Sequence, residues 1–254
     1  MLANYHTHTK LCGHADGEAR EYVENAIKRG IDVLGFSDHA PFIFDGDFVS
    51  PSRMTPQQTD EYFSVLTKLK KEYERDIKIY IGFESEYIPE LIEKQERFLA
   101  DYPVDYMILG EHFTESEQHS TYKGYASDSE EELINYVDMV IEGVETGKYL
   151  YVAHPDLMKY TGSNEIYVRE FTRLCRYLKS KDMPIEINML GVSQKRNYTS
   201  ERFMKIASEI GNMAIIGADA HSPEKLLLGD DYAECIQLAE KFGVKLLESM
   251  KGFE

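Results

Sequence analysis

Seven of the eight histidines in this chain fall where a metal centre would want them. His6, His39, His112, His154 and His221 each lie at, or within a few residues of, the end of a β-rich run, and His8 and His14 extend from the first of these runs. In His6-Thr7-His8 two imidazoles stand two residues apart on one side of an extended chain, so both can reach one ion. Asp219-Ala220-His221 repeats that spacing with a carboxylate, after the apolar run MAIIGA. Glu84 follows Gly82-Phe83 at the end of another apolar run, where a buried carboxylate needs a cation to neutralise it. Imidazole with carboxylate suits zinc, iron or manganese, and no cysteine pair signals a structural zinc site. Each piece alone is ordinary: His39 after Ser37-Asp38 and His154 before Pro155-Asp156 also read as turn residues. Convergence of the seven carries the reading. His119, in the polar segment 115–120, reads as surface loop.

Convergence requires elements that bring distant residues to one place. Candidate strands lie at roughly 2–6, 32–37, 77–83, 105–110, 149–153, 184–188 and 213–218, mostly continuously apolar, as parallel strands covered on both faces are. Between them run helical patterns. Ala19, Tyr22, Val23, Ala26 and Ile27 form one apolar face, closed by Gly30; Tyr62, Val65, Leu66, Leu69 and Tyr73 form another. A third spans Leu133 to Val144 behind the capping box Ser129-x-x-Glu132, and shorter patterns follow at about 165–179, 200–210 and 231–250. Seven strands alternating with helices predict a closed or nearly closed parallel (β/α) barrel, TIM-like, within a single domain over residues 1–254. In such a barrel the strand C-terminal ends share one face, and that face carries the active site. An open doubly wound sheet is the alternative that periodicity leaves standing.

Composition narrows the partners. The 45 acidic against 28 basic residues give a formal charge of −17, which repels nucleic-acid backbones and anionic membranes. Small phosphates are repelled too, so a phosphate site must rely on local cations or metals. Arg196, past the run PIEIN, is the preferred phosphate ligand, because a guanidinium matches phosphate oxygens in bidentate fashion; Arg53 is the second. Three widely spaced cysteines, no long apolar stretch and no signal-peptide pattern lead to the expectation of a cytoplasmic protein.

The ordered set His6-x-His8, His14, Ser37-Asp38-His39, Gly82-x-Glu84, His112, His154-Pro155 and Asp219-x-His221 resembles the polymerase and histidinol phosphatase (PHP) family, over residues 4 to about 222. The resemblance implies a distorted seven-stranded barrel with a trinuclear metal cluster. By position, His6, His8, Glu84 and Asp219 would hold the first metal; Glu84 would bridge to a second, completed by His112 and His154; His14, His39 and His221 would hold the third. Glu86 and Asp16 stand near enough in sequence to compete or assist. Within the family the chain is similar to stand-alone histidinol-phosphate phosphatases, through Leu11-Cys12-Gly13-His14-Ala15, Ser37-Asp38-His39-Ala40-Pro41, Ile108 to Phe113 and Glu186-Ile187-Asn188. It departs at Glu111, where a small residue is expected. The implied reaction is hydrolysis of L-histidinol phosphate by a hydroxide bridging two or three zinc, iron or manganese ions, with Asp219 passing a proton to the leaving group. The substrate's cationic groups would meet partners among Glu84, Glu86, Glu111 and Glu115. A PHP-type nuclease or nucleotide phosphoesterase is the alternative, and oligomeric state is left open.

Overall fold

In the computed structural model, which describes residues 2–226 and 229–253, the apolar runs become short parallel strands. β1 (Ala3–Asn4), β2 (Val33–His39), β3 (Lys78–Ser85) and β4 (Tyr106–Leu109) form one sheet in that order. β5 (Ile185–Asn188), β6 (Met213–Gly217) and β7 (Lys245–Leu246) form a second, again all parallel. Every residue of β2 and β5 is buried, which is why their sequences read as runs rather than alternations.

The two sheets curl towards each other and are joined by isolated bridges. Val152 pairs with Leu109 of β4 on one side and Ile185 of β5 on the other, and Thr7, just past β1, pairs with Ala220, just past β6. The expected strand at 149–153 is therefore a hydrogen-bonded connector rather than a full strand. Pro184 offers no N–H to lengthen the ladder, and the left-handed turn at His154 (φ 29°) ends it.

Helices pack outside the strands. α1 (Ala19–Lys28), α2 (Thr59–Glu72), α4 (Glu130–Glu145), α5 (Asn164–Ser180) and α7 (Glu201–Ile210) fall on the expected patterns, and Ser129 caps α4 by accepting from Glu132 N–H. α3 (Pro89–Leu99) has no counterpart among those patterns, because Gln95 interrupts its apolar face. Gln95 is buried through contacts to Ser85 Oγ and Pro41 O. The short α6 (Met189–Ser193) was likewise not foreseen. The pattern at 231–250 divides: α8 (Asp230–Phe242) stops at the left-handed cap Gly243, and Lys245–Leu246 then joins β6 as β7. Among the described residues no helix is long and apolar enough to cross a membrane.

Where β1 and β2 part, Tyr106 of β4 fills the gap. Its hydroxyl lies 2.7 Å from Tyr5 O and 3.1 Å from Phe36 O, and both carbonyls are buried. Replacing Tyr106 by Phe removes the hydroxyl donor from Tyr5 O, so the change is expected to lower unfolding free energy by about 1–3 kcal/mol. Urea denaturation of the metal-free protein checks this; an unchanged midpoint would show that the hydroxyl is dispensable.

Candidate metal centre

Strand register places the donors. His39 closes β2 directly beside Glu84 of β3. His6 and His8 flank Thr7, whose carbonyl accepts from Ser37 N–H while its other edge pairs with Ala220, so both rings project to one side. His112 follows β4, His154 ends the connector, and Asp219 and His221 follow β6. His14 hangs from a single 3-10 turn, Lys10–Cys12, closed by Gly13 at φ 82°. All nine expected donors thus meet on the face formed by the strand C-terminal ends.

Glu84 lies at their centre. Its Oε2 is 3.4 Å from His6 Nε2, 3.5 Å from His8 Nε2 and 3.1 Å from His39 Nδ1. Its Oε1 is 2.6 Å from His154 Nε2 and 3.6 Å from His112 Nε2. Asp219 Oδ1 stands 3.2 Å from His8 Nε2 and 3.6 Å from His6 Nε2. His14 and His221 approach at 3.1 Å through their Nε2 atoms, and with His39, which also meets Glu84, they form a further cluster of donors. Gly110 leaves room for the carboxylate, since a methyl there would overlap Glu84 Oε1.

The electrostatics of the centre ask for cations. Burial penalises the charges of Glu84 and Asp219, yet the imidazoles hold both carboxyls well below their usual range: His112, His6, His39 and His154 around Glu84, and His6, His8 and His221 around Asp219. Burial likewise opposes a charge on His6, but Glu186, Asp219 and Glu84 together raise its pKa well above the usual value. His39 goes the other way, lowered by burial and by neighbouring His8. His6 Nε2, His8 Nε2 and His154 Nδ1 are buried without a hydrogen-bond partner. Of these, His6 Nε2 and His8 Nε2 face the carboxylates of Glu84 and Asp219, and unpartnered imidazole nitrogens so placed fit divalent transition metals.

Carboxylates stand behind the rings as well as in front. Asp38 Oδ1 lies 3.4 Å from His8 Nδ1, Glu86 Oε1 2.9 Å from His112 Nδ1, and Glu186 Oε1 2.8 Å from His6 Nδ1. Glu86 therefore backs His112 instead of competing with Glu84. Asp16 is exposed; only its backbone touches the site, through N–H to His221 O.

A cavity of about 650 Å³ opens above the donors, walled by Phe48, Phe113, Tyr122, Leu190 and Tyr198. Arg196 lies on this wall, exposed, with Nη1 2.8 Å from the Tyr198 hydroxyl and Nε 3.0 Å from Gln194 Oε1. Arg53 also borders the cavity but is committed elsewhere. Its guanidinium bonds both oxygens of Glu86, Ala40 O and Glu117 Oε1, and packs 4.7 Å from the Phe42 ring. It anchors Glu86 from the cavity's edge, its charge shared with Glu86 and Glu117. Glu111 does not line the cavity; buried, it accepts from Tyr87 N–H, and burial raises its carboxyl well above the usual value. Glu115 lies in a separate cleft beside the exposed His119. Sequence reasoning missed Glu117, whose tie to Arg53 spans 64 residues, and Cys12, which clusters with His8 and His221. For Cys12 a signal was present: it sits two residues before His14.

Comparison with known proteins agrees with this geometry. The PHP domain family pattern matches residues 4–189. A protein named probable histidinol-phosphatase from Deinococcus radiodurans is 25% identical over 242 residues, covering 93% of this chain and 92% of its own. The histidinol-phosphatase of Bacillus subtilis is 24% identical over 246 residues, covering 85% and 92%. A crystal structure of histidinol phosphate phosphatase from Lactococcus lactis, complexed with zinc, L-histidinol and phosphate, superposes with a TM-score of 0.72 at 22% identity, over 97% of this chain and 95% of that one. That likeness establishes the curled, parallel-stranded α/β fold. With the family pattern spanning most of the sequence and its donors gathered at one end of the strands, the chain belongs to the PHP domain family.

Proposed function

We propose that the protein is a metal-dependent phosphomonoesterase that hydrolyses L-histidinol phosphate to L-histidinol and phosphate. One observation carries the chemistry: Glu84 presents its two oxygens to two separate groups of imidazoles at the floor of a cavity whose wall holds Arg196. The substrate follows from the names of the relatives, and a cavity of about 650 Å³ suits a small molecule. In this reading His6, His8, Glu84 and Asp219 hold one divalent ion, Glu84, His112 and His154 a second, and His14, His39 and His221 a third; zinc, iron and manganese all match the donors. With the 149–153 connector counted as a stave and β7 as an addition to the edge of β6, β1–β6 and the connector make a distorted seven-stave barrel within one domain over residues 1–254. Its three cysteines are buried thiols, in keeping with a reducing cytoplasm.

When bound, the ions supply Lewis acidity, which activates water at neutral pH and neutralises phosphoryl charge. The chain's own residues do the rest. Arg196 grips the phosphate from the cavity wall, a charge-assisted contact made in ground and transition states alike. As water's oxygen bonds to phosphorus and the ester P–O bond breaks, Asp219 takes up the proton that water loses and returns it to the leaving alkoxide. Asn188 Nδ2, 3.1 Å from Asp219 Oδ2, fixes that carboxylate's orientation. The aromatic wall excludes bulk water, and Glu86 and Glu117 border the cavity where a cationic amine or imidazole would enter.

A phosphate-release screen against histidinol phosphate, other amino-alcohol and sugar phosphates, mononucleotides and bis-p-nitrophenyl phosphate tests the assignment. Histidinol phosphate is expected to turn over fastest, whereas a faster diester would move the protein to the nuclease branch. Asp219→Asn should lower kcat on the order of 10²-fold or more, with metal content measured in parallel. Arg196→Ala should chiefly raise KM for every phosphomonoester at unchanged metal content; unaltered kinetics would make Arg196 an ordinary surface charge. Chelation should abolish activity while far-UV circular dichroism stays near native, since the apolar core does not involve the donors.

A further inference from the structure

The segment Glu186-Ile187-Asn188 has no part in the ligand set, yet Glu186 meets two of the donors from behind. Its side chain is fully buried. Oε1 accepts from His6 Nδ1 at 2.8 Å and from the Tyr151 hydroxyl at 3.2 Å. Oε2 accepts from His154 N–H at 3.1 Å and from Asn188 Nδ2 at 2.8 Å. Asn188 Nδ2 in turn reaches Asp219 Oδ2. One carboxylate thus contacts a ring of the first metal group and the backbone of a donor in the second, and through Asn188 it reaches Asp219.

We propose that Glu186 is the positioning residue that fixes His6 in its metal-ready tautomer and holds His154 in place, coupling the first and second metal subsites. This rests on the metal-centre reading above. The chemistry of the four contacts supports it. A hydroxyl, a backbone N–H and an amide NH₂ all offer hydrogens, so the group they surround must be acceptor-only, which a carboxylate is and an amide is not. His6 must then place its hydrogen on Nδ1, leaving the Nε2 lone pair towards Glu84 and Asp219. His154 has φ 29°, a conformation that side-chain-bearing residues avoid, and the Glu186 bond to its N–H helps hold it there. On the neighbouring strand Gly217 keeps the space open: a methyl there would overlap Glu186 Oε1.

Two variants reach this carboxylate from different directions without altering a donor. Glu186→Gln sets an NH₂ against hydrogens, and Gly217→Ala pushes the side chain from β6. Zinc titration against a chromophoric chelator should show about 10–100-fold weaker binding at the subsites of His6 and His154 in both. The site of His14, His39 and His221 should keep its wild-type affinity, even where the metal-free variants melt at a lower temperature. Wild-type affinity at every site in the variants overturns the inference, as does a uniform loss that tracks a lowered metal-free melting temperature. Wild-type protein that takes up no zinc overturns the metal-centre reading and this inference together. A measurement on the wild type covers the case of variants that do not fold. Long-range ¹H–¹⁵N correlation on zinc-loaded, ¹⁵N-histidine protein should show His6 protonated at Nδ1 and ligating through Nε2, and the reverse pattern overturns the proposal.

Discussion

A buried carboxylate that must be neutralised governs this molecule. Glu84 is withdrawn from water at the end of β3, and taking an isolated ionised carboxylate out of water is prohibitively unfavourable unless opposite charge meets it. The strands arrange that meeting: β2 delivers His39 in register beside it, β1 leads into His6 and His8, and the turns beyond β4 and the connector bring His112 and His154. The same requirement shapes the second layer. Each ring turned inward by Asp38, Glu86 or Glu186 has its second nitrogen aimed at the centre, and Glu86 is itself held by Arg53. Removing Glu84 would therefore do more than delete one ligand, since the imidazoles around it would lose their common counter-charge.

This layering also explains how so acidic a chain can receive an anionic ester. Most of its negative charge is spread over the outer surface, where solvent and salt screen it. In the function proposed above, the charges nearest the phosphate are those of the ions the donors would hold and that of Arg196. Arg53 contributes at one remove, its charge cancelled by Glu86 and Glu117 before it reaches the cavity.

How much of this was legible in the sequence depended on the range of the signal. Ser129 before Glu132 announced α4, and apolar runs announced β2, β3 and β6, because those signals sit within a few residues of the element they specify. The donors were legible because histidine is scarce and its placement at strand ends is hard to produce otherwise. Long-range pairing was not. Nothing near Arg53 tells that Glu86 and Glu117 will claim it, and nothing near Gln95 tells that Ser85 and Pro41 O will bury it. The division of 231–250 turned on Gly243, a residue equally at home as a helix cap or inside a loop. Glu111 and Glu115 looked alike as acids by the site, and only burial and the Tyr87 N–H told the first from the second.

The bridge between Thr7 and Ala220 has a kinetic consequence. The first donors synthesised, His6 and His8, are completed by Asp219 and His221, and His14 meets His221 across a separation of 207 residues. Contacts so distant along the chain form late, after the loop-closure entropy of nearly the whole polypeptide has been overcome. A ribosome-bound chain exposing only its N-terminal half thus offers His6, His8, His14, His39, Glu84 and His112 but lacks His154, Asp219 and His221, an incomplete set for any ion. The donor set is complete only when Thr7 and Ala220 are clasped, so the finished fold, rather than the order of translation, decides what the centre can hold.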